Sequence, residues 1–292
     1  MHYHSYHIIT IGCQMNKADS ERIASYLNSK RITSTDQKSA DLVIINTCGV
    51  RQKAEDRVYG LVKQIRKDNK ESDVVITGCL AKRKDVIKRL EGRVKLFMPI
   101  NELPKMIELL TNKLDNKSLD DLRENQGERY LEIEPNYSNN FSAYVPIGNG
   151  CNNFCSYCVV PYARGREVYR DYNKIIAEVK KLVSLGYKEI NLIAQNVNSY
   201  KSNDKDFADL ILEIEKIPGD FWLRFFSSHP KDMKDKLIKT IGKSSKLANH
   251  LHIAVQSGDN EILKKMNRKY TVEQFKELIK KIKKEKPGIA IT

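Results

Sequence analysis

The chain has 292 residues, of which 40% are hydrophobic and 30% charged, and its formal net charge is +14. This composition is typical of a globular protein with room for two domains, and no apolar run approaches the roughly 18–20 residues that cross a membrane. The polar N-terminus lacks the pattern of an export signal, so we expect a cytoplasmic protein. The positive charge favours a polyanionic partner such as RNA, although lysines on a solvated helix over 276–286 would give the same balance.

The first part of the sequence alternates between strand and helix patterns. Runs of β-branched residues that are separated by amphipathic segments predict a parallel α/β sheet, here of Rossmann-like type. We assign this domain to residues 1–114. The predicted strands are 6–11, 41–46, 74–76 and 96–98, and the predicted helices are 18–28, 54–67, 84–90 and 103–112.

Residues 115–140 interrupt this alternation. Asn, Asp, Ser and Glu dominate the segment, and apolar residues are few. We interpret it as an interdomain linker, with one strand at about 130–133.

A second α/β series occupies residues 141–292, and its rhythm predicts a partial (β/α) barrel. The series stops as a fifth strand begins at 289, whereas a closed barrel has eight strands, so we expect an incomplete, C-terminally truncated barrel. The predicted strands are 142–147, 189–193, 222–226 and 250–255, and the predicted helices are 174–185, 207–214, 233–241 and 272–284.

Three of the six cysteines form a C-x3-C-x2-C motif, Cys151, Cys155 and Cys158, directly after the first strand of this second domain. Disulfides are not expected in a long, periodic chain without an export signal. A structural zinc site normally has four ligands, and a four-iron cluster normally has four cysteines. Three cysteines leave one iron with an open position, which predicts a reactive site. A zinc knuckle or a set of buried thiols is the alternative.

The other three cysteines each follow a predicted strand of the first domain. Cys13 follows strand 6–11, Cys48 follows strand 41–46, and Cys79 follows strand 74–76. Carboxyl ends of parallel strands share one edge of a sheet, so these thiols are expected to meet there. Glycines beside them, at positions 12, 49 and 78, allow close approach to a bulky group. This pattern indicates a second three-cysteine cluster, with coincidence as the alternative.

Both cysteine sets, together with ordered motifs along nearly the whole chain, resemble the methylthiotransferase branch of the radical-SAM superfamily. The resemblance implies two [4Fe-4S] clusters, with S-adenosylmethionine (SAM) bound at the open iron of the Cys151 set. It implies that all six cysteines are metal ligands and part of the catalytic machinery, and that Tyr157 lies beside the adenine of SAM. The motifs are Gly12–Asn16, Asn46–Cys48, Gly78–Cys79, 158–162, 164–167, 195–198, 227–230 and 255–258.

Within that family, Gln14-Met15-Asn16 and Ser228-His229-Pro230 most resemble the branch that modifies isopentenyl-adenosine beside the tRNA anticodon. Threonylcarbamoyl-adenosine in tRNA and an aspartate of a ribosomal protein are the alternative substrates. The resemblance further implies an electron donor such as flavodoxin or ferredoxin and a source of sulfur.

Several polar residues at strand ends are candidates for the pocket. Gln195 and Gln256 are candidate SAM-binding residues, with turn formation or capping as the alternative. His229 could contact substrate or support its loop, and Arg164 and Arg166 could meet phosphate or lie in a solvated loop.

Family members usually continue into a small C-terminal β-domain that helps to bind RNA, whereas this sequence ends at Thr292. A non-catalytic iron–sulfur or zinc RNA-binding protein, and a non-functional fragment, therefore stay as alternatives to the enzyme.

Overall fold

The computed structural model describes residues 3–111 and 130–292. The chain divides into two compact units. The first comprises Met1–Ser138 and a short later segment, Val159–Gly165, and the second comprises Asn139–Cys158 and Arg166–Thr292. Within the described residues, no helix combines the length and the apolar character that a bilayer-spanning segment requires.

The first unit is built on a five-stranded parallel sheet in the order β2-β1-β3-β4-β5. Alternate side chains of the central strands point to opposite faces, so the sheet has two separate cores. Leu42 and Ile44 pack on one face, and Val43 and Ile45 on the other. The strands are β1 (Ser5–Thr10), β2 (Thr33–Ser34), β3 (Leu42–Thr47), β4 (Asp73–Gly78) and β5 (Leu96–Met98).

Helices cover both faces of this sheet, as expected for parallel strands that are buried on each side. The unit also includes a short helix from the later segment, which the sequence did not predict. The helices are α1 (Gln14–Ser29), α2 (Gln52–Asp68), α3 (Lys84–Arg89), α4 (Met106–Leu110) and α5 (Val160–Arg164).

Two predictions for the first unit were wrong in detail. The predicted strand at 130–133 is a 3-10 turn, Tyr130–Glu132. Tyr130 and Leu131 are adjacent in sequence and both join the same core, which the alternating side chains of a strand do not permit. The predicted helix 103–112 is a 3-10 segment, Ile100–Lys105, followed by α4. Positions 112 and 115–129 of the predicted helix and linker lie outside the described residues.

The second unit is a partial (β/α) barrel whose main strands are parallel, and residues 148–149 with 168–169 and residues 201–202 with 205–206 form two short antiparallel pairs beside them. Strands β6, β9 and β12 form a sheet in the order β12-β9-β6, and β13 pairs with β14. Parallel bridges Leu223–Leu247 and Ser228–Ile253 extend the pairing past β12. Its strands are β6 (Ser142–Pro146), β7 (Gly148–Asn149), β8 (Val168–Tyr169), β9 (Glu189–Ile193), β10 (Lys201–Ser202), β11 (Lys205–Asp206), β12 (Trp222–Phe225), β13 (His250–Leu251) and β14 (Ala290–Ile291).

The helices of this unit agree with the predictions to within a few residues, with one addition. The added helix, α9, lies between strand 250–255 and helix 272–284, where no element was predicted. The predicted strand 250–255 is shorter, because the backbone leaves the strand conformation and reaches a φ of 67° at Gln256. The helices are α6 (Tyr172–Ser184), α7 (Phe207–Glu215), α8 (Asp235–Lys243), α9 (Asn260–Lys265) and α10 (Val272–Glu285).

Candidate functional site: two sets of cysteines

The first unit places Cys13, Cys48 and Cys79 at the carboxyl edge of its sheet. They follow β1, β3 and β4, which are neighbours in the sheet. The backbone N–H of Cys79 donates to the Thr47 carbonyl at 2.9 Å, which ties the second and third cysteine loops together. Cys13 is the N-cap of α1, and the N-terminal end of a helix favours an anionic ligand.

Asn16 and Asn46 connect the first cysteine loop to the second. The Asn16 side-chain amide donates to Asn46 Oδ1 at 2.8 Å and to the Thr47 carbonyl at 3.0 Å. Its Oδ1 accepts from the backbone N–H of Cys13 at 3.3 Å. Both asparagines are fully buried. Their motifs were recognised in the sequence, but this positioning role was not predicted from it.

Glycine is required at the third loop. Gly78 has a φ of 82°, and a Cβ there would lie 2.4 Å from the Thr47 carbonyl oxygen. A Cβ on Gly49 would lie 3.0 Å from Cβ of Cys79, so the loops approach closely around the thiols. At these two positions the absence of a side chain lets the cysteine loops pack against one another.

A buried ion pair lies beside this first set. Arg164 donates to Asp19 Oδ2 at 2.8 Å, and both side chains are almost fully buried, at 2% and 0% exposure. Burial raises the pKa of Asp19, and the charge of Arg164 opposes that shift. Arg164 also interacts electrostatically with Cys79. The prediction that Arg164 meets phosphate or solvent was therefore wrong, because its guanidinium is used inside the protein.

The second unit holds Cys151, Cys155 and Cys158 in the loop after β6 and β7. Cys151 and Cys155 are buried, and Cys158 is half-buried. The N–H of Cys158 donates to the Cys155 carbonyl at 3.0 Å, and the Asn153 amide lies 3.4 Å from Cys151 Sγ. Burial raises the pKa of the Cys151 thiol. Phe154 adopts a positive φ of 47°, which turns the loop between the first two cysteines.

Reciprocal hydrogen bonds hold the start of this loop. Asn152 N–H donates to Glu167 Oε1 at 3.2 Å, and Glu167 N–H donates to Asn152 Oδ1 at 3.2 Å. The Tyr169 hydroxyl donates to the other Glu167 oxygen at 2.5 Å. Glu167 belongs to a motif of the sequence analysis, and its role as an anchor of the loop appears only in the structure.

A second anchor of the loop comes from residues 265–268, which the sequence analysis did not identify. The Ser156 hydroxyl donates to the Lys265 carbonyl at 2.8 Å, and the Asn267 amide donates to the Phe154 carbonyl at 2.9 Å. Arg268 Nη1 lies 3.4 Å from Cys155 Sγ. Arg268 is more than one hundred residues from Cys155, and no local pattern in a single sequence indicates such a contact.

The other predicted site residues occupy different environments. Tyr157 is 51% exposed beside the thiols, so its ring is accessible to a ligand. Gln195 accepts a hydrogen bond from Gly150 N–H at 2.6 Å, so its side-chain oxygen already supports the cysteine loop. Gln256 is exposed at a positive φ. Arg166 stacks over Phe154 at 4.9 Å.

His229 supports its own loop. It is 6% exposed, and its Nδ1 accepts from Lys231 N–H at 3.2 Å. Its ring packs edge-on against Tyr270 at 5.7 Å. Burial, followed by the charges of Arg268 and Lys231, lowers the pKa of His229 to about 3, so the ring is neutral at physiological pH. The contacts favour the structural interpretation of this residue.

The chemistry of the two donor sets suits iron–sulfur clusters, because each set consists of three free thiols and cysteine is the usual ligand of such clusters. In a four-iron cluster each cysteine binds a different iron, so the sulfurs surround the group rather than meet at a point. In residues 3–111 and 130–292, no three Cys, His, Asp or Glu side chains converge on the position of one metal ion.

Five surface cavities of the described residues have volumes of about 310 to 560 Å³, and none of these five is lined by a cysteine. The largest of the five lies along α1 and β1 in the first unit. Another is lined by Asn267 and Arg268, which contact the loop that carries Cys155.

Two protein families match the two parts of the chain. The uncharacterized protein family UPF0004 matches residues 5–98, and the radical SAM superfamily matches residues 145–292. The first match contains Cys13, Cys48 and Cys79, and the second contains the C-x3-C-x2-C motif.

Solved structures with low sequence identity share this fold. The radical S-adenosylmethionine methyltransferase TsrM from Kitasatospora setae, with cobalamin and a [4Fe-4S] cluster bound, has a TM-score of 0.69 at 14% identity, over 99% of this chain and 68% of that one. The cobalamin-dependent S-adenosylmethionine radical enzyme OxsB has a TM-score of 0.70 at 13% identity, over 99% of this chain and 48% of that one. These similarities show the fold alone.

Curated relatives are much more similar in sequence. The tRNA-2-methylthio-N(6)-dimethylallyladenosine synthase of Carboxydothermus hydrogenoformans is 41% identical over 99% of this chain and 68% of its own length. The enzyme of the same name from Thermoanaerobacter pseudethanolicus is 42% identical over 98% of this chain and 63% of its own length. The chain thus spans about two thirds of these relatives. The chain belongs to the radical SAM superfamily, in the family of the tRNA-2-methylthio-N(6)-dimethylallyladenosine synthases.

Proposed function

We propose that this chain transfers a methylthio group to isopentenyl-adenosine beside the anticodon of tRNA, by radical-SAM chemistry. The observation that carries the proposal is the presence of two separate three-thiol sets, each on loops at the carboxyl edge of a parallel sheet. The names of the relatives at about 40% identity support this substrate over threonylcarbamoyl-adenosine or a protein aspartate. The free thiols and a tRNA substrate are also in keeping with a cytoplasmic location.

Each cysteine set would hold one [4Fe-4S] cluster. Cys151, Cys155 and Cys158 would bind the cluster that receives SAM at its open iron, and Cys13, Cys48 and Cys79 would bind the auxiliary cluster. When bound, the first cluster supplies the electron that cleaves SAM, and the second takes part in delivery of sulfur. The proposal also includes two further partners besides tRNA. They are an electron donor such as flavodoxin or ferredoxin, and a source of sulfur.

The chain's own residues position these groups. The anchors through Glu167, Gln195 and Asn267 fix the loop of Cys151, Cys155 and Cys158 before any ligand binds. Preorganised ligands lose less conformational entropy when a cofactor binds. Tyr157 is free to stack on the adenine of SAM, and Gln256 is exposed and available to a ligand, whereas Gln195 acts through the loop that it supports. The formal charge of +14 favours the approach of an RNA polyanion.

The experiment that tests the proposal counts iron and acid-labile sulfide after anaerobic reconstitution. We expect about eight irons in the unaltered chain, and about four in Cys151→Ala and in Cys13→Ala, because each set holds its own four-iron cluster. Ser156→Ala removes a hydroxyl from the same loop without removing a thiol, and is expected to keep eight.

Two outcomes would contradict the proposal. About four irons that disappear only in Cys151→Ala would exclude the auxiliary cluster and leave a simpler radical-SAM protein. One zinc and no iron would favour a non-catalytic RNA-binding protein. A preparation with eight irons is then assayed for SAM cleavage and for modification of a tRNA anticodon stem-loop.

A further inference from the structure

We propose that Arg268 is a positioning residue for the Cys151–Cys158 cluster, and that it raises the reduction potential by donating a charged hydrogen bond to Cys155 Sγ. The inference rests on the proposed function only in requiring a cluster at this loop. Neither the motifs of the sequence nor the names of the relatives point to this arginine.

The guanidinium of Arg268 is held in place by three groups. Nη1 lies 3.4 Å from Cys155 Sγ, Nη2 donates to the Ala254 carbonyl at 3.1 Å, and Nε donates to the Tyr270 hydroxyl at 3.2 Å. Since the guanidinium is planar and rigid, two contacts on its other nitrogens fix the direction in which Nη1 points. That direction is toward the sulfur.

The Tyr270 hydroxyl is itself fixed. It donates to the Val255 carbonyl at 2.6 Å, and it also lies 3.1 Å from the Ala254 carbonyl. Its ring packs against the neutral ring of His229. Tyr270 is therefore a buried, uncharged and fixed partner for the guanidinium of Arg268.

Within the part of the chain that the structure describes, no carboxylate forms an ion pair with Arg268. Among the ion pairs of the described residues, none includes this side chain, which is half-buried. A charge in a partly desolvated position interacts more strongly with its neighbours than one in bulk water. The contact that Nη1 makes is with the sulfur of Cys155.

The loop does not depend on Arg268 for its shape. Ser156 N–H donates to the Met266 carbonyl at 3.2 Å, and its hydroxyl donates to the Lys265 carbonyl. The Asn267 amide donates to the carbonyl of Phe154. These three bonds attach the cysteine loop to residues 265–267, so removal of the arginine side chain leaves the attachment in place.

An added electron makes a cluster more negative. A positive charge and an N–H directed at a ligand sulfur stabilise that reduced state more than the oxidised one, so they raise the reduction potential. The effect requires no titration of any group. It predicts that the arginine makes the cluster easier to reduce by an external one-electron donor.

The test is a reductive titration followed by electron paramagnetic resonance. The parent is the full chain with Cys13, Cys48 and Cys79 replaced by alanine, so that the signal comes from the Cys151 set alone. In Arg268→Gln we expect the ratio of reduced to oxidised cluster at a fixed potential to fall about tenfold, which corresponds to ~59 mV for one electron. Arg268→Lys keeps the charge without the planar fork, and is expected to fall by less.

Lys264→Gln is the matched control. It removes an exposed positive charge from α9, the helix just before Arg268, and leaves in place the bonds that attach the cysteine loop. We expect its potential to equal that of the parent, because a solvated charge that is not directed at a ligand sulfur is screened. If Arg268→Gln does not retain iron, the Arg268→Lys titration decides, and an unchanged potential in that variant counts against the inference.

The results separate this inference from the proposed function. A parent that holds about four irons but shows the same potential with Arg268→Gln overturns the role of Arg268 alone. A shift in Lys264→Gln as large as that in Arg268→Gln assigns the effect to the loss of any nearby positive charge, and also overturns it. A parent that binds no cluster overturns the proposed function itself.

Discussion

At the scale of single residues, the buried pair Arg164–Asp19 shows how far a local motif can mislead. An arginine directly after a cluster-binding loop has the type of side chain that binds phosphate, and nothing in the adjacent sequence indicates that it is buried. The structure pairs it with a carboxylate 145 positions earlier in the chain. The periodicity of a single sequence does not reveal such a long-range pair. The spacing of Cys151, Cys155 and Cys158 is local and can be seen directly in the sequence.

We expect Asp19→Asn to lower the free energy of unfolding by about 3–5 kcal/mol, because it leaves the buried charge of Arg164 uncompensated. Urea unfolding monitored by circular dichroism measures the change. The double variant Asp19→Asn/Arg164→Gln removes both charges and is expected to recover part of the loss.

The surface pair Lys216–Glu213 is the control for that prediction. Its side chains are 72% and 36% exposed, so Glu213→Gln is expected to change stability by less than about 1 kcal/mol. Equal effects of Asp19→Asn and Glu213→Gln would show that the buried pair contributes no more to the free energy of unfolding than the exposed pair.

At the scale of elements, the sequence predicted the strands that carry the cysteines and therefore the edge at which they lie. Leu42–Thr47 is fully buried, and its run of β-branched residues is a strong local signal. Residues 130–133 were predicted as a strand without such a run, and Tyr130–Glu132 is instead a 3-10 turn whose first two side chains enter one core. The difference depends on tertiary packing, which residue type alone does not determine.

Gly78→Ala tests whether the close approach of β3 and β4 holds Cys79 in place. The new Cβ would meet the Thr47 carbonyl at 2.4 Å, and the backbone φ of 82° disfavours alanine. We expect a loss of more than about 1 kcal/mol in stability and a loss of iron from the auxiliary cluster only. Unfolding in urea and the iron content of the reconstituted protein are the measurements.

Gly60→Ala provides a matched substitution in the same unit. Gly60 is exposed inside α2, and no atom lies within 4 Å of an added Cβ. We expect it to stabilise the protein by about 0.5–1 kcal/mol and to leave iron content unchanged. Retention of all eight irons by Gly78→Ala would contradict the prediction that the close approach of β3 and β4 holds Cys79 in place.

At the scale of the whole molecule, the net charge of +14 is the feature that points to nucleic acid, and it is also the least specific. The second unit was predicted as a partial barrel, and its parallel strands confirm that architecture. Net charge is a property of composition, so it follows directly from the sequence. The sequence does not show which surface of the folded protein carries the positive charge.

We expect binding of a tRNA anticodon stem-loop to weaken about 100-fold between 50 and 200 mM salt, as for a protein that neutralises about five phosphates of single-stranded RNA. Fluorescence anisotropy at several salt concentrations gives the slope. Cys151→Ala is expected to show the same slope, because the electrostatic part of binding does not require the cluster. If the affinity does not depend on salt, the lysines do not contact RNA phosphates and serve only as a solvated surface.

The membership of Val159–Gly165 in the first unit has a consequence for how such a gene can be recombined. An exchange at the boundary after Ser138 would transplant Asp19 without Arg164, and the buried carboxylate would lose the arginine with which it forms its ion pair. A crossover is tolerated only if both segments travel together or if their partners match in the recipient. Residues 1–138 therefore cannot be transferred alone without loss of part of the first unit, and the coding regions of the two units are expected to be inherited together.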